Sequence, residues 1–180
     1  MHVFTNFNVH TTMETIYFNS PIGVLQLSGD EECITELLFV QTGVSANLHQ
    51  PDLCSDAPQS VGLANCVKQL QNYFSGIDLS FNVPLRQHGT NFQLKVWNEL
   101  RSIEPGKTLS YMQLSKNIGN VKAIRAVGTA NGKNKIAIIV PCHRVIGSNG
   151  DLVGYAGDLW RKQWLLQHEA KYLNGVQTLF

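Results

Sequence analysis

Between Thr15 and Gln41 the chain alternates in the manner of strands. TIYFNSPIGVLQL and ECITELLFVQ are rich in β-branched and aromatic residues, and Ser20-Pro21 and Gly29-Asp30 mark reversals. Gly43 to Ser60 is polar and full of turn formers, which predicts a loop. From Val61 to Phe74 the period changes, with Val61, Leu63, Ala64, Val67, Leu70 and Tyr73 near helical spacing. Leu79 to Pro84 reads as one more short strand. The pattern predicts an α/β unit over residues 1–87.

Residues 88–180 read as mainly helical. Phe92, Val96, Trp97, Leu100 and Ile103 share one face of a helix that stops before Pro105-Gly106. Ser110 is an N-cap for a shorter helix through Leu114 and Ile118, ended by Gly119. Asn120 is placed to cap a third helix, with Val121, Ile124 and Val127 on one face. Two short helices joined by a tight, glycine-containing turn outline a helix-turn-helix, although a helix pair inside the core fits the same pattern. Ala123, Ala126, Gly128 and Ala130 leave the third helix small-sided, with room for close approach by another surface. Ile136 to Val140 reads as a buried strand running directly into Pro141-Cys142-His143-Arg144. A last helix is expected from Leu159 to about Leu173, with Trp164 and Leu165 inward.

The net charge of +1 hides a segregation. Positions 105–150 hold Lys107, Lys116, Lys122, Arg125, Lys133, Lys135 and Arg144 and no acid, so all 13 acidic residues lie elsewhere. One region is therefore expected to meet a polyanion, a solvated basic face being the plainer alternative. No apolar run approaches the roughly 20 residues of a membrane span, and the N-terminus lacks the form of a secretion signal, which predicts an intracellular protein. Cys33, Cys54, Cys66 and Cys142 are widely spaced. With His10, His49 or His88 they match no zinc pattern, so free thiols and no metal are expected. GSNGDLVGYAG lacks the spacing of a phosphate loop, and its glycines read as bends near a ligand.

Cys142 beside His143, emerging from an apolar run, invites a nucleophile reading, because a neighbouring imidazole favours the reactive thiolate. Asn134 heads the same run, and Glu169 in the last helix is a carboxylate able to orient an imidazole. From the residues alone, catalysis stands beside inert burial of Cys142. Two other classes stay open: a non-catalytic DNA-damage-binding module using the helix-turn-helix, and a cysteine hydrolase that would turn over repeatedly.

NGKNKIAIIVPCHRVIGSNGDLVGYAGDLWRKQWLLQHE, with PCHRV at its centre, resembles the active-site region of the O6-alkylguanine-DNA alkyltransferases, the methylated-DNA–protein-cysteine methyltransferases. The resemblance continues upstream through GKTLSYMQLSKNIGNVKAIRAVGTANG and covers roughly Gly89 to Glu169; SPIGVLQLS is similar to the family's ribonuclease-H-like N-terminal domain. It implies an α/β domain followed by a mainly α domain with a helix-turn-helix, using no cofactor. The implied partner of this expected monomer is double-stranded DNA containing O6-alkylguanine, with O4-alkylthymine a further candidate base. The implied location is cytoplasmic, or nuclear in a eukaryote. Cys142 would accept the alkyl group, with His143 as base through a bridging water, Glu169 orienting it and Asn134 bracing a hinge. Tyr111 would help rotate the nucleotide and protonate the departing base, while Arg125 would take the extruded nucleotide's place in the stack. The carbonyls of Cys142 and Val145 would accept from the guanine amino group, the Ala156 amide would donate to O6, and Tyr155 would line the base pocket. Ala123, Gly128 and Ser148 would meet DNA, Ser148 at a phosphate. Three residues depart from the family pattern: Lys135 and Val121 stand where prolines are usual, and Asp158 where glycine is frequent.

Overall fold

The computed structural model describes residues 12–40, 58 and 60–174. Strands β1 (Glu14–Ser20), β2 (Gly23–Gly29) and β3 (Ile34–Phe39) form an antiparallel sheet in that order. The first hairpin closes at Pro21-Ile22, so the reversal read at Ser20-Pro21 lies where expected. Leu25, Leu27, Ile34 and Leu37 are buried, and helix α1 (Val61–Ser75) covers them with Leu63, Cys66, Leu70 and Tyr73. Ser60 caps α1 by accepting from the Leu63 amide at 3.1 Å. Gly76 ends the helix at φ 74°, where a side chain would be strained and would also strike the Tyr172 ring. The loop expected over Gly43–Ser60 lies almost wholly outside the described residues, as do His10, His49 and Cys54.

Leu79 to Pro84 does not form the expected strand. Its apolar residues Leu79 and Val83 are buried, but the backbone makes a single bridge, Ile34 to Leu85. The alternation recorded burial without a ladder partner, and Pro84 has no N–H to continue one.

Helix α2 (Asn91–Arg101) opens on a reciprocal cap between Thr90 and Gln93 and buries Val96, Trp97 and Leu100. It ends earlier than the apolar pattern suggests, leaving Ile103 buried in the following turn. Strand β4 (Leu109–Ser110) leads into α3 (Tyr111–Asn117), with the Ser110 hydroxyl accepting from the Gln113 amide at 3.0 Å. Helix α4 (Ile124–Gly132) starts later than expected. The Asn120 amide donates to the Ser115 carbonyl, and the Asn120 carbonyl accepts from the Ser115 hydroxyl and the Ala123 amide. These bonds hold Asn120 in the turn, so Ala123 takes the N-cap position and Val121 stays exposed, off the Ile124–Val127 face. Trp97 Nε1 donates to the Ala130 carbonyl at 2.9 Å and locks α2 to α4.

The segment Ile136–Val140 is buried throughout, yet it is not a strand. The Leu37 amide donates to the Lys135 carbonyl at 2.8 Å and the Ala137 amide to the Leu37 carbonyl at 2.9 Å, so it touches the free edge of β3 at one point. It then turns, and Ile138 sits at φ 68°, a costly conformation for a β-branched residue. A single 3₁₀ turn, Cys142–Arg144, follows, then β5 (Val145–Ile146), paired in parallel with β4. The last helix, α5, covers Leu159–Asn174. Among the described residues no helix is long and apolar enough to cross a membrane.

Leu37 thus joins the N-terminal sheet to the segment that carries the cysteine. Replacing it with Ala is expected to cost about 2–5 kcal/mol, as for other buried leucines. A urea midpoint at the wild-type value would contradict the burial of this side chain.

Candidate active site

Cys142 is nearly buried at the start of the 3₁₀ turn. The Asn134 side chain determines where it sits. Asn134 Nδ2 donates to the Val140 carbonyl at 2.8 Å, the Ile136 carbonyl at 3.2 Å and Cys142 Sγ at 3.3 Å. Its Oδ1 accepts from the Ile136 amide at 3.0 Å and Gln87 Nε2 at 3.4 Å. Burial pushes the Cys142 thiol up, while the Asn134 hydrogen bond and the Lys162 charge pull the other way by favouring the thiolate.

His143 and Glu169 are fully buried and paired, Nε2 to Oε1 at 2.9 Å. Burial pushes the Glu169 carboxyl up, but hydrogen bonds and charge from His143 and Arg144 outweigh it and hold it well below the usual carboxylate range. An ionised carboxylate only accepts, so the proton between the pair sits on His143 Nε2. Burial also keeps the imidazole below its ordinary value, partly offset by Glu169. The neutral ring therefore has Nδ1 as a bare acceptor, and Nδ1 finds no partner among the described residues. This ring is prepared to take a proton.

Glu169 is saturated from several elements. Arg144 gives it a fork through Nε and Nη2, the latter at 2.8 Å, while the Tyr73 hydroxyl from α1 and the Gly106 amide each donate at 2.8 Å. Arg144 Nη1 donates to the Ile103 carbonyl. Arg144 is thus a structural ion and leaves the basic face to which its charge was assigned. Lys107, Lys116, Lys122, Arg125, Lys133 and Lys135 remain exposed, and Lys135 pairs with Glu36 at 2.9 Å.

A cavity of about 240 Å³ opens on Cys142, lined by Asn131, Asn134, Tyr155, Ala156 and Gly157. Tyr111 stands near it, its hydroxyl 3.4 Å from both Asn131 Nδ2 and the Val153 carbonyl. Asn131 Nδ2 also reaches the Cys142 carbonyl at 3.4 Å, linking Tyr111 to the cysteine turn. Gly128 lies beside the Tyr111 ring, and a β-carbon there would be 3.9 Å from it. Arg125 projects from α4 exposed, Ala123 is half-buried at its start, and Ser148 is exposed in the turn after β5. None of these three lines the cavity. Asp158, at a position read as favouring glycine, has φ 70° and pairs with Arg161 at 2.7 Å.

Asn131 and Lys162 were not singled out from the sequence, while Arg144 was read only as part of the basic face and the PCHRV stretch, and Tyr73 only as an apolar position of a helix. Lys162 is fully buried, donating to the Val145 carbonyl at 2.6 Å and the Val153 carbonyl at 2.8 Å. Burial lowers its ammonium to about 8, with the negative charge of a Cys142 thiolate acting in the opposite sense. Its place in the inward stripe of α5, one turn before Leu165 and two before Glu169, was the available signal. Burial pushes the Cys66 thiol up to about 12, an inert environment. Among the described residues no group of three or more His, Cys, Asp or Glu could hold a metal ion.

Two family models match the chain. Residues 13–87 fit the 6-O-methylguanine DNA methyltransferase ribonuclease-like domain, and residues 91–171 fit its DNA binding domain. A methylated-DNA–protein-cysteine methyltransferase of Methanosarcina acetivorans is 47% identical over 84% of this chain and 95% of its own. That of Mycobacterium tuberculosis is 42% identical over 90% and 95%. The crystal structure of the M. tuberculosis O6-methylguanine methyltransferase superposes with a TM-score of 0.76 at 40% identity, covering 94% of this chain and 99% of that one. The same organism's OGT in complex with DNA gives 0.77 at 41% identity, over 88% and 93%. With both models matched in order, this chain belongs to the 6-O-methylguanine DNA methyltransferase family.

Proposed function

We propose that this protein repairs DNA by moving an alkyl group, typically methyl, from O6 of guanine in a duplex to Cys142, once per molecule. One observation carries the reading: the Cys142 thiol opens on a small cavity and is followed in the chain by a buried His143–Glu169 pair whose imidazole has a bare acceptor nitrogen. Such a cavity admits a base only after it leaves the stack, a step that costs a few kcal/mol. The exposed Arg125 fills the gap, while Ala123 and the glycine at 128 let α4 approach the groove. Ser148 meets a phosphate.

In the pocket, Tyr155 and Ala156 hold the base. The carbonyls of Cys142 and Val145 accept from its amino group; the Val145 oxygen retains a second lone pair beside Lys162. His143 takes the thiol proton through a bridging water, with Glu169 stabilising the imidazolium. The thiolate attacks the alkyl carbon, the S–C bond forms as the C–O6 bond breaks, and the bonding pair leaves on O6. The Ala156 amide steadies that oxygen and Tyr111 protonates the departing guanine. His143 releases its proton to solvent and Tyr111 regains one, so the charges balance. A thioether sulfur has no route to leave again, so the protein is consumed. The reading carries a cytoplasmic location in a cell without a nucleus, and O4-alkylthymine is a further base to assay.

Incubated with a duplex containing O6-methylguanine, the protein is expected to gain a single methyl on the Cys142 peptide, seen by intact mass and peptide mapping. Cys142→Ser should gain none and still bind the duplex; methylation of that variant would sink the assignment. Arg125→Ala should slow repair of the duplex far more than reaction with the free alkylated base, and equal losses would count against extrusion.

The pH profile tests the base. Protonated His143 cannot accept a proton, so the single-turnover rate falls as pH drops through its folded-state value. Burial holds that value below the ordinary 6.5, and the midpoint of the decline should therefore lie below 6.5. A decline centred at or above 6.5 would exclude His143 as described.

A further inference from the structure

The N-terminal sheet reaches the cavity on which Cys142 opens. Leu38 and Phe39, at the end of β3, form one side of it, whereas the cysteine, the asparagines and the 154–157 loop come from the rest of the chain. The remaining wall mixes the polar side chains of Asn131 and Asn134 and loop backbone with Ala137, Tyr155 and Ala156. Apolar side chains are what an alkyl substituent needs as neighbours, and of the two that the sheet supplies, Leu38 and Phe39, Phe39 is the larger.

Its ring is fixed from several directions. It meets Tyr155 edge-on, with centroids 6.0 Å apart at 65°. It lies so close to Gly157 that a β-carbon there would run into it. The Arg161 guanidinium sits 5.0 Å above the ring, with Trp160 packed 4.6 Å from the same guanidinium. Arg161 is itself tied to both sides of the seam: Nε donates to the Ile22 carbonyl at 2.7 Å, and Nη1 to the Gly157 carbonyl at 3.1 Å and Asp158 at 2.7 Å. A rigid aromatic side chain anchored in this way limits volume instead of yielding to a larger guest.

We infer that Phe39 is a specificity-determining residue: it bounds the space for the O6 substituent, so the N-terminal sheet selects which alkyl groups reach Cys142. This rests on the alkyl-transfer reading above. In-line displacement confines the substituent between O6 and Sγ, and anything larger than methyl must extend toward the surrounding wall.

Single-turnover rates on duplexes carrying O6-methylguanine or O6-benzylguanine test the inference. Phe39→Ala should raise the benzyl-to-methyl rate ratio by about tenfold, the scale at which hydrophobic pockets discriminate by size. Phe39→Leu, which keeps apolar packing, should shift the ratio the same way by less, and serves if the alanine variant does not fold. Phe18→Ala removes an aromatic of the same sheet that stacks on Phe74 outside the cavity, and should leave the ratio unchanged. A ratio that is equal in the unaltered protein, Phe39→Ala and Phe39→Leu, with methyl transfer intact, overturns the wall and leaves alkyl transfer standing. A ratio that rises equally in Phe18→Ala overturns it too, by assigning the effect to loosening of the sheet. No methyl transfer by the unaltered protein overturns both readings.

Discussion

The primary amide of Asn134 is the constraint from which the site follows. Its Nδ2 shares two N–H groups among the Ile136 carbonyl, the Val140 carbonyl and Cys142 Sγ, while Oδ1 takes the Ile136 amide. A buried chain that turns cannot satisfy its own backbone as a helix or strand does, and unpaired buried groups are costly. Asn134 is the surrogate partner that lets residues 136–140 fold back within the core and still present a thiol. The same atoms that hold the turn also donate to the sulfur, so structure and reactivity are linked through one side chain. The strain at Ile138 lies inside the loop that this amide closes.

A second buried cluster stands beside it. Glu169 is fully buried, and an isolated carboxylate there would take up a proton instead of staying charged. It stays ionised because Arg144, His143, Tyr73 and the Gly106 amide occupy both oxygens. Removing one partner of such a buried pair typically costs about 3–5 kcal/mol, so each donor is held by the others. Tyr73 comes from α1, and in this way the helix of the N-terminal unit is wired to the imidazole that the nucleophile requires.

The N-terminal sheet therefore supports the cysteine at several places. β3 bonds to residues 135–137, α1 reaches Glu169, and Arg161 binds the first hairpin to the loop at 157–158. Lys135 and Asp158, which depart from the family pattern, both lie on this seam. Lys135 pairs with Glu36 of β3, and Asp158 adopts a left-handed backbone that its short polar side chain tolerates while pairing with Arg161. Val121, the third departure, is exposed in the turn before α4, and nothing in the structure explains it.

Local chemistry in the sequence was enough for much of this. Period-two alternation and turn residues located β1 to β3, helical spacing located α1, α2 and α5, and Ser110 marked the start of α3, because each depends on neighbours within a few residues. Cys142 beside His143 raised a nucleophile reading through residue type and adjacency, but catalysis and inert burial stood level there, and the roles of Asn134 and Glu169 came from the resemblance around PCHRV. Hydrophobicity alone could not separate burial from pairing, so Leu79–Pro84 and Ile136–Val140 read as strands when one makes a single bridge and the other turns. Arg144 read as a surface cation because its partner lies 25 residues away, and the β4–β5 pair joins dipeptides 36 residues apart. Phe39 at the cavity and Tyr73 on Glu169 had no local signature of those roles, and Lys162 on two carbonyls had only its place in the inward stripe of α5. Their roles depend on long-range packing: which side chains converge, and which polar groups are left needing a partner, are decided only when the sheet and the helices close on one another.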